Sequence, residues 1–225
     1  MLRFILLFVF IVPFKIAAQD SIKSPKYLED QLYVGFSYIL LNKPSSGMKQ
    51  NGFSNSLSVG FIKDLPVNEK RNFGFGIGVG YGRNTYYQNI FIENINGADV
   101  FSLLEDGFSF KTNKFSTHLI EVPLEIRWRT STADRYKFYR IYAGGKLSYL
   151  AGSNARLRTT GSKIKVKGID EINKVQFGLT LAVGYGTWNF NLYYGLTDIF
   201  KNATFEDGTP LHVKDIRLGL IFYIL

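Results

Sequence analysis

From about residue 31 the chain alternates large apolar residues with small or polar ones, in eight stretches separated by turn-rich gaps. The clearest is Phe73-Gly74-Phe75-Gly76-Ile77-Gly78-Val79-Gly80-Tyr81-Gly82, where odd positions are large and even ones are glycine. A period of two belongs to a strand whose two faces meet different surroundings. Phe53, Asn55, Leu57, Val59 and Phe61 alternate likewise with Ser54, Ser56, Ser58, Gly60 and Ile62, and the stretch Lys174 to Tyr185 repeats the pattern. The remaining strands are read at about 31–41, 114–129, 137–150, 188–197 and 213–225. In the last, Ile216, Leu218, Leu220, Phe222 and Ile224 are placed opposite Arg217, Gly219 and Tyr223.

The gaps carry independent information. They fall at about 42–52, 64–71, 86–113, 130–136, 151–172, 186–187 and 198–212, alternately long and short. An up-and-down meander puts the long ones at one mouth and the short ones at the other, as in barrels with short periplasmic turns and long extracellular loops.

Which face points inward separates a soluble lipocalin-like barrel from a membrane barrel. An eight-stranded barrel is only wide enough inside for side chains to fill it. Several bulky residues per strand would not fit there, whereas glycines, serines and a few long charged residues do. The expected arrangement is therefore an all-β, eight-stranded antiparallel transmembrane barrel with its apolar face in lipid. Closure pairs every backbone amide without leaving an edge. Tyr33, Tyr81, Tyr86, Tyr87, Trp128, Tyr136, Tyr139, Tyr185, Trp188 and Tyr223 lie near strand ends, as interfacial aromatic girdles would.

The chain opens with Arg3, an apolar run from Phe4 to Phe14, and small residues at Ala17-Ala18. That order is the pattern of a secretory signal peptide. The expected organisation is a signal peptide over 1–18, a short periplasmic segment over 19–30 and the barrel domain over 31–225.

Composition narrows the function classes. The 225 residues contain no Cys and two His, so a disulfide scaffold, a thiolate metal site and a His-rich zinc site are excluded. The mean hydropathy of −0.01 is too polar for a bundle of membrane helices. The net charge of +9 raises nucleic acid as a partner, but no basic helix, zinc-finger spacing or RNA-binding signature accompanies it, and none is expected. No cofactor is expected either.

Alternation places Glu121, Glu125, Arg127 and Arg129 on the polar face of one strand, with Arg140 and Lys146 on that of the next. With Lys174 and Arg217 they form the candidate lumen charge network, and Arg83 and Asp215 are candidates for the same lumen. Carboxylates in a narrow bore need cations beside them. The expected role is a structural plug of salt bridges, with an ion or proton path as the alternative. Pro123, inside an alternating strand, is expected to mark a bulge or bend. Ser116, His118 and Glu121 are the local candidates for a hydrolase triad, but Glu121 falls on the opposite face. The gap containing Arg156, Arg158, Lys163, Lys165 and Lys167 is basic, and on the outside it would meet lipopolysaccharide phosphates or serve as a solubilising loop.

The residues His118-Leu119-Ile120-Glu121-Val122-Pro123-Leu124-Glu125 and Tyr142-Ala143-Gly144-Gly145-Lys146-Leu147-Ser148-Tyr149-Leu150, with Phe73 to Gly82 and the apolar last strand, resemble the PorT-like outer-membrane β-barrels of Gram-negative bacteria. The resemblance covers about residues 31–225. It implies residence in the cell outer membrane among its lipids, with other envelope proteins as partners. It also implies a non-enzymatic role, structural or accessory to type IX-like protein secretion. A narrow channel for small solutes or ions is the alternative, and a lipid-modifying barrel enzyme ranks last.

Overall fold

The computed structural model describes residues 31–105, 107–130 and 138–224. The expected signal peptide and periplasmic segment lie outside the described residues. The strands are β1 (Gln31–Asn42), β2 (Asn55–Pro66), β3 (Phe73–Tyr87), β4 (Ile90–Ile95), β5 (Ala98–Leu103), β6 (Thr112–Arg129), β7 (Tyr139–Arg158), β8 (Lys163–Lys167), β9 (Val175–Tyr185), β10 (Trp188–Gly195) and β11 (Lys214–Ile224). Along the wall the order is β6-β3-β2-β1-β11-β10-β9-β7, and β7 pairs back onto β6. Eight antiparallel strands thus close into a barrel. The first and last strands meet where β1 pairs β11, from Leu32 opposite Ile224 to Asn42 opposite Lys214.

Alternation sets the two faces as expected. Leu57, Val59, Phe61, Phe75, Ile77, Val79, Leu124, Ile126, Leu179, Leu181 and Val183 all point outward and are exposed. Such a continuous apolar belt is stable only against hydrocarbon or a partner surface. The inner face is made of small residues because a few large ones lie flat over the neighbouring strands. A Cβ on Gly80 would collide with the Tyr33 hydroxyl, and one on Gly178 with the Tyr193 ring.

The aromatic ends divide in two. Trp128, Tyr139, Tyr185 and Trp188 are exposed around the rim that carries the short turns, where the tilted rings of Tyr139 and Tyr185 meet at 4.7 Å. Tyr33, Tyr86 and Tyr223 instead turn into the barrel and are buried, so they do not belong to a girdle. Tyr136 lies outside the described residues.

Two local features differ from the sequence reading. Pro123 stays in register opposite Lys146. Its missing N–H coincides with a break in the β3–β6 ladder, which runs to Ile77 opposite Leu124 and resumes, unshifted, at Gly80 opposite Glu121. The register shift falls instead between His118 and Leu119, where Leu119 opposes Leu150 and His118 opposes Gly152. Ala151 is the extra residue of that bulge, and it inverts the in–out parity of β7. The inversion explains why the alternation breaks near residue 150 although β7 runs on to Arg158. Above the bulge β7 pairs with the short strand β8, and β4–β5 forms a separate hairpin.

Lumen and extracellular cap as the candidate functional site

The bore holds two charge clusters separated by a mostly apolar waist. The lower one, near the short turns, centres on Asp64. Its carboxylate accepts hydrogen bonds from Arg129 Nη1 and Nη2 at 2.8 and 2.7 Å and from Arg127 Nη1 at 3.2 Å. Arg127 also donates from Nη2 to Gln31 Oε1 at 2.9 Å and from Nε to Glu125 Oε2 at 3.0 Å. Its guanidinium lies 4.4 Å above the Tyr142 ring. Arg140 stacks over Phe138 at 4.5 Å and Tyr223 at 5.4 Å. Arg127, Arg129 and Asp64 are all buried, so these charges are held by each other and by aromatic faces.

The upper cluster centres on Glu121. Lys146 Nζ donates to its Oε2 at 2.9 Å, and Arg217 Nη1 forms an ion pair with Oε1 at 3.6 Å. Arg217 Nε donates to Asp215 Oδ2 at 2.7 Å, and the Tyr86 hydroxyl donates to the same oxygen at 3.1 Å. The Arg217 guanidinium lies 4.1 Å over the Tyr193 ring. Between the clusters Tyr33, Ile62, Ala182 and Ile221 fill the waist, beside a cavity of about 20 Å³. That volume holds about one water.

Of the residues named for the lumen, Glu121, Glu125, Arg127, Arg129, Arg140, Lys146 and Arg217 are there, with Asp215. Lys174 is not. It precedes β9 and is exposed, because the strand begins one residue later than its alternation suggests. Arg83 is not either, since it shares the outward parity of Tyr81 and is exposed. The reading missed Asp64 and Gln31, and it left Tyr142, which alternation puts on the inward face, out of the network. Asp64 is the telling omission. It shares the even parity of Ser58, Gly60 and Ile62, and extending that strand by a single step would have found it.

The triad candidates do not converge. Ser116 Oγ bonds Thr85 Oγ1 at 3.2 Å, His118 Nδ1 bonds the Tyr81 hydroxyl on the outer face, and Glu121 is inside with Lys146. His212 pairs with Asp198 at 3.0 Å in an exposed loop.

Above the barrel the four long connections fold together into a cap with its own apolar core. Phe115 stacks on Tyr86 at 4.5 Å and meets Phe200 at 5.2 Å, and Phe200 packs edge-on against Phe101 of the β4–β5 hairpin at 5.5 Å. Ile90, Ile92, Val166, Ile169 and Ile172 complete this core from the second and third loops. Polar stitches join loop to loop. Asn89 Nδ2 donates to the Gly47 carbonyl at 2.9 Å, the His212 amide to Ser45 Oγ at 2.7 Å, and the Asp170 amide to Asp99 Oδ2 at 3.0 Å. Burial, and then a hydrogen bond with Asp99, raise the Glu171 carboxyl above the ordinary glutamate range.

A family model described as outer membrane protein beta-barrel domain matches residues 17–201. No curated protein sequence gives a match. Among solved structures, Ail, the attachment invasion locus protein of Yersinia pestis, aligns at 9% identity and a TM-score of 0.38, covering 87% of this chain and 97% of Ail. The same protein in complex with the heparin analogue sucrose octasulfate aligns at 11% identity and 0.37, covering 88% and 99%.

Proposed function

The chain belongs to the outer membrane protein beta-barrel domain family and resides in the outer membrane, and from that premise we propose that it is a closed, non-enzymatic barrel working through its extracellular cap. The observation that carries this reading is the Asp64–Arg127–Arg129 cluster, which ties β2 to β6 over the intervening β3 with all three side chains buried, while Arg127 also reaches Gln31 on β1 and Tyr142 on β7. Passage of an ion would require parting charge-assisted hydrogen bonds in a space already filled by aromatic rings. The apolar cap core adds a second obstruction above. A narrow channel for small solutes or ions, the alternative, would need water continuous through the waist at Tyr33 and Ile221.

What remains to act on other molecules is the cap, the part held outside the bilayer. In this reading the barrel is a membrane anchor for a folded extracellular surface, structural or accessory to protein secretion of the type IX kind. The secretion role rests on the resemblance to PorT-like barrels. The test is single-channel recording of the purified protein in planar bilayers, with export of secreted proteins measured in a deletion strain. A silent bilayer together with reduced export is the expected result. A steady open current would overturn the closed-lumen reading, and unchanged export would leave the structural role alone.

A further inference from the structure

Above the lipid-facing belt, one side of the outer wall changes from apolar to cationic. Tyr87 on β3 opposes Lys114 on β6, Lys114 opposes Arg156 on β7, and Arg156 opposes Lys165 on β8. One row higher, Arg158 opposes Lys163. Ala155 and Val166, the residues of opposite parity, are buried in the cap core, so this row of cations faces away from it. Like charges directly opposite one another on a sheet repel. Among the described residues no carboxylate pairs with Lys114, Arg156, Arg158, Lys163 or Lys165. Arg156 Nε is moreover buried without a hydrogen-bond partner. A solubilising surface would be served as well by alternating signs. A row of one sign, held rigid by backbone pairing across three strands, suits an anion supplied from outside.

The position of the row says where that anion comes from. Arg83 also points outward on this side, directly opposite the lipid-facing Leu57 on β2. Arg83 and Lys114 line a concavity of about 270 Å³ with Asn55 and Thr85, and its floor is Phe36 and Leu57 of the apolar belt. The cations therefore begin where the acyl chains end. Lys114 lies six residues along β6 from the lipid-facing Ile120, a height of roughly 15 Å for a tilted strand. A second concavity, of about 410 Å³, opens beside Arg156, Arg158, Thr159, Ser162 and Lys163. Charged groups rising from the edge of the apolar belt to roughly 15 Å above Ile120 stand at the level of a large phosphorylated headgroup.

We propose that Arg83, Lys114, Arg156 and Lys165 form a binding site for the phosphate groups of lipopolysaccharide in the surrounding outer leaflet. Guanidinium and ammonium groups meet phosphate through charge-assisted hydrogen bonds, bidentate for Arg. The site is on the outer wall and stands whether or not the lumen conducts.

The test reconstitutes the full chain into phosphatidylcholine nanodiscs containing lipopolysaccharide, or the same glycolipid after enzymatic dephosphorylation, and measures retained glycolipid by native mass spectrometry. The expected result is retention of the phosphorylated form, lost at high salt, with the dephosphorylated form on the order of a hundredfold weaker. The R83Q/K114Q/R156Q/K165Q variant should lose the preference, while K43Q/K174Q/K201Q, which removes exposed cations elsewhere on the cap, should keep it. Equal retention of both glycolipids by the wild-type protein would overturn the proposal without recourse to any variant. So would an equal loss in both variants, which would mark net charge alone, or displacement by inorganic phosphate with no preference for the lipid.

Discussion

Asp64 holds its position because two guanidinium groups supply it with hydrogen bonds at 2.7 to 3.2 Å in a bore that excludes bulk water. Such a cluster costs heavily in desolvation and is compensated only while every partner is present. Neutralising the carboxylate leaves Arg127 and Arg129 buried with the negative charge that both share removed. Asp64→Asn should therefore destabilise the barrel by about 3–5 kcal/mol, measured as a shift in urea unfolding from lipid vesicles. An unchanged midpoint would mean that water reaches this level of the lumen. The inward glycines matter in the same way, since the Tyr33 ring can lie over β2 and β3 only because Gly60 and Gly80 leave it room.

At the scale of the strand, each β element sorts its residues between two solvents, and β9 does so most plainly. Leu179 is half exposed on the outer face, while Gln176 and Ala182 are buried inside. Leu179→Arg should cost about 2–4 kcal/mol if that face meets acyl chains near the midplane, read from folding equilibria in bilayers. An unaltered stability would place this wall against water. This alternation is why the barrel was legible in the sequence: eight strands, their order and the identity of the lipid face all follow from a period of two and the lengths of the gaps. Most of the lumen charges were legible for the same reason, because parity alone puts Glu121, Arg127, Arg129 and Arg217 on one side. The reading failed where the pattern ends. Parity carried one step further puts Asp64 in the bore and Arg83 on the exterior, as found, and only Lys174, which precedes β9, departs from it. The upper part of β7 escaped for a related reason, since the bulge at Ala151 inverts the alternation and makes a continuing strand look like a loop.

The molecule as a whole has two cores of opposite construction, a charged one within the membrane and an apolar one in the cap. The cap was not legible in the sequence because its core is assembled from loops without periodicity, with Phe101, Phe115 and Phe200 brought together from distant stretches. Its stability should depend on pH through Glu171. Burial and the hydrogen bond to Asp99 raise that carboxyl, so the folded cap holds the proton more tightly than the unfolded loops do. Stability then falls as pH rises from the ordinary glutamate range through the raised value, because the folded state must give up a proton it binds preferentially. Once ionised, Glu171 stands beside Asp99 and Asp170 with like charge. Asp99 Oδ2 also accepts the Asp170 amide, so loosening should appear first at that amide and at Lys201, whose amide donates to the Glu171 carbonyl at 2.6 Å. Hydrogen exchange at these two amides, corrected for the intrinsic effect of pH, should quicken between acid and neutral conditions while amides in the barrel wall stay protected. Glu171→Gln keeps the hydrogen bond without the charge and should flatten that dependence. If the variant exchanges with the same pH profile as the wild type, the loops are held by their apolar core alone and the carboxyl pair has no part in closing the mouth.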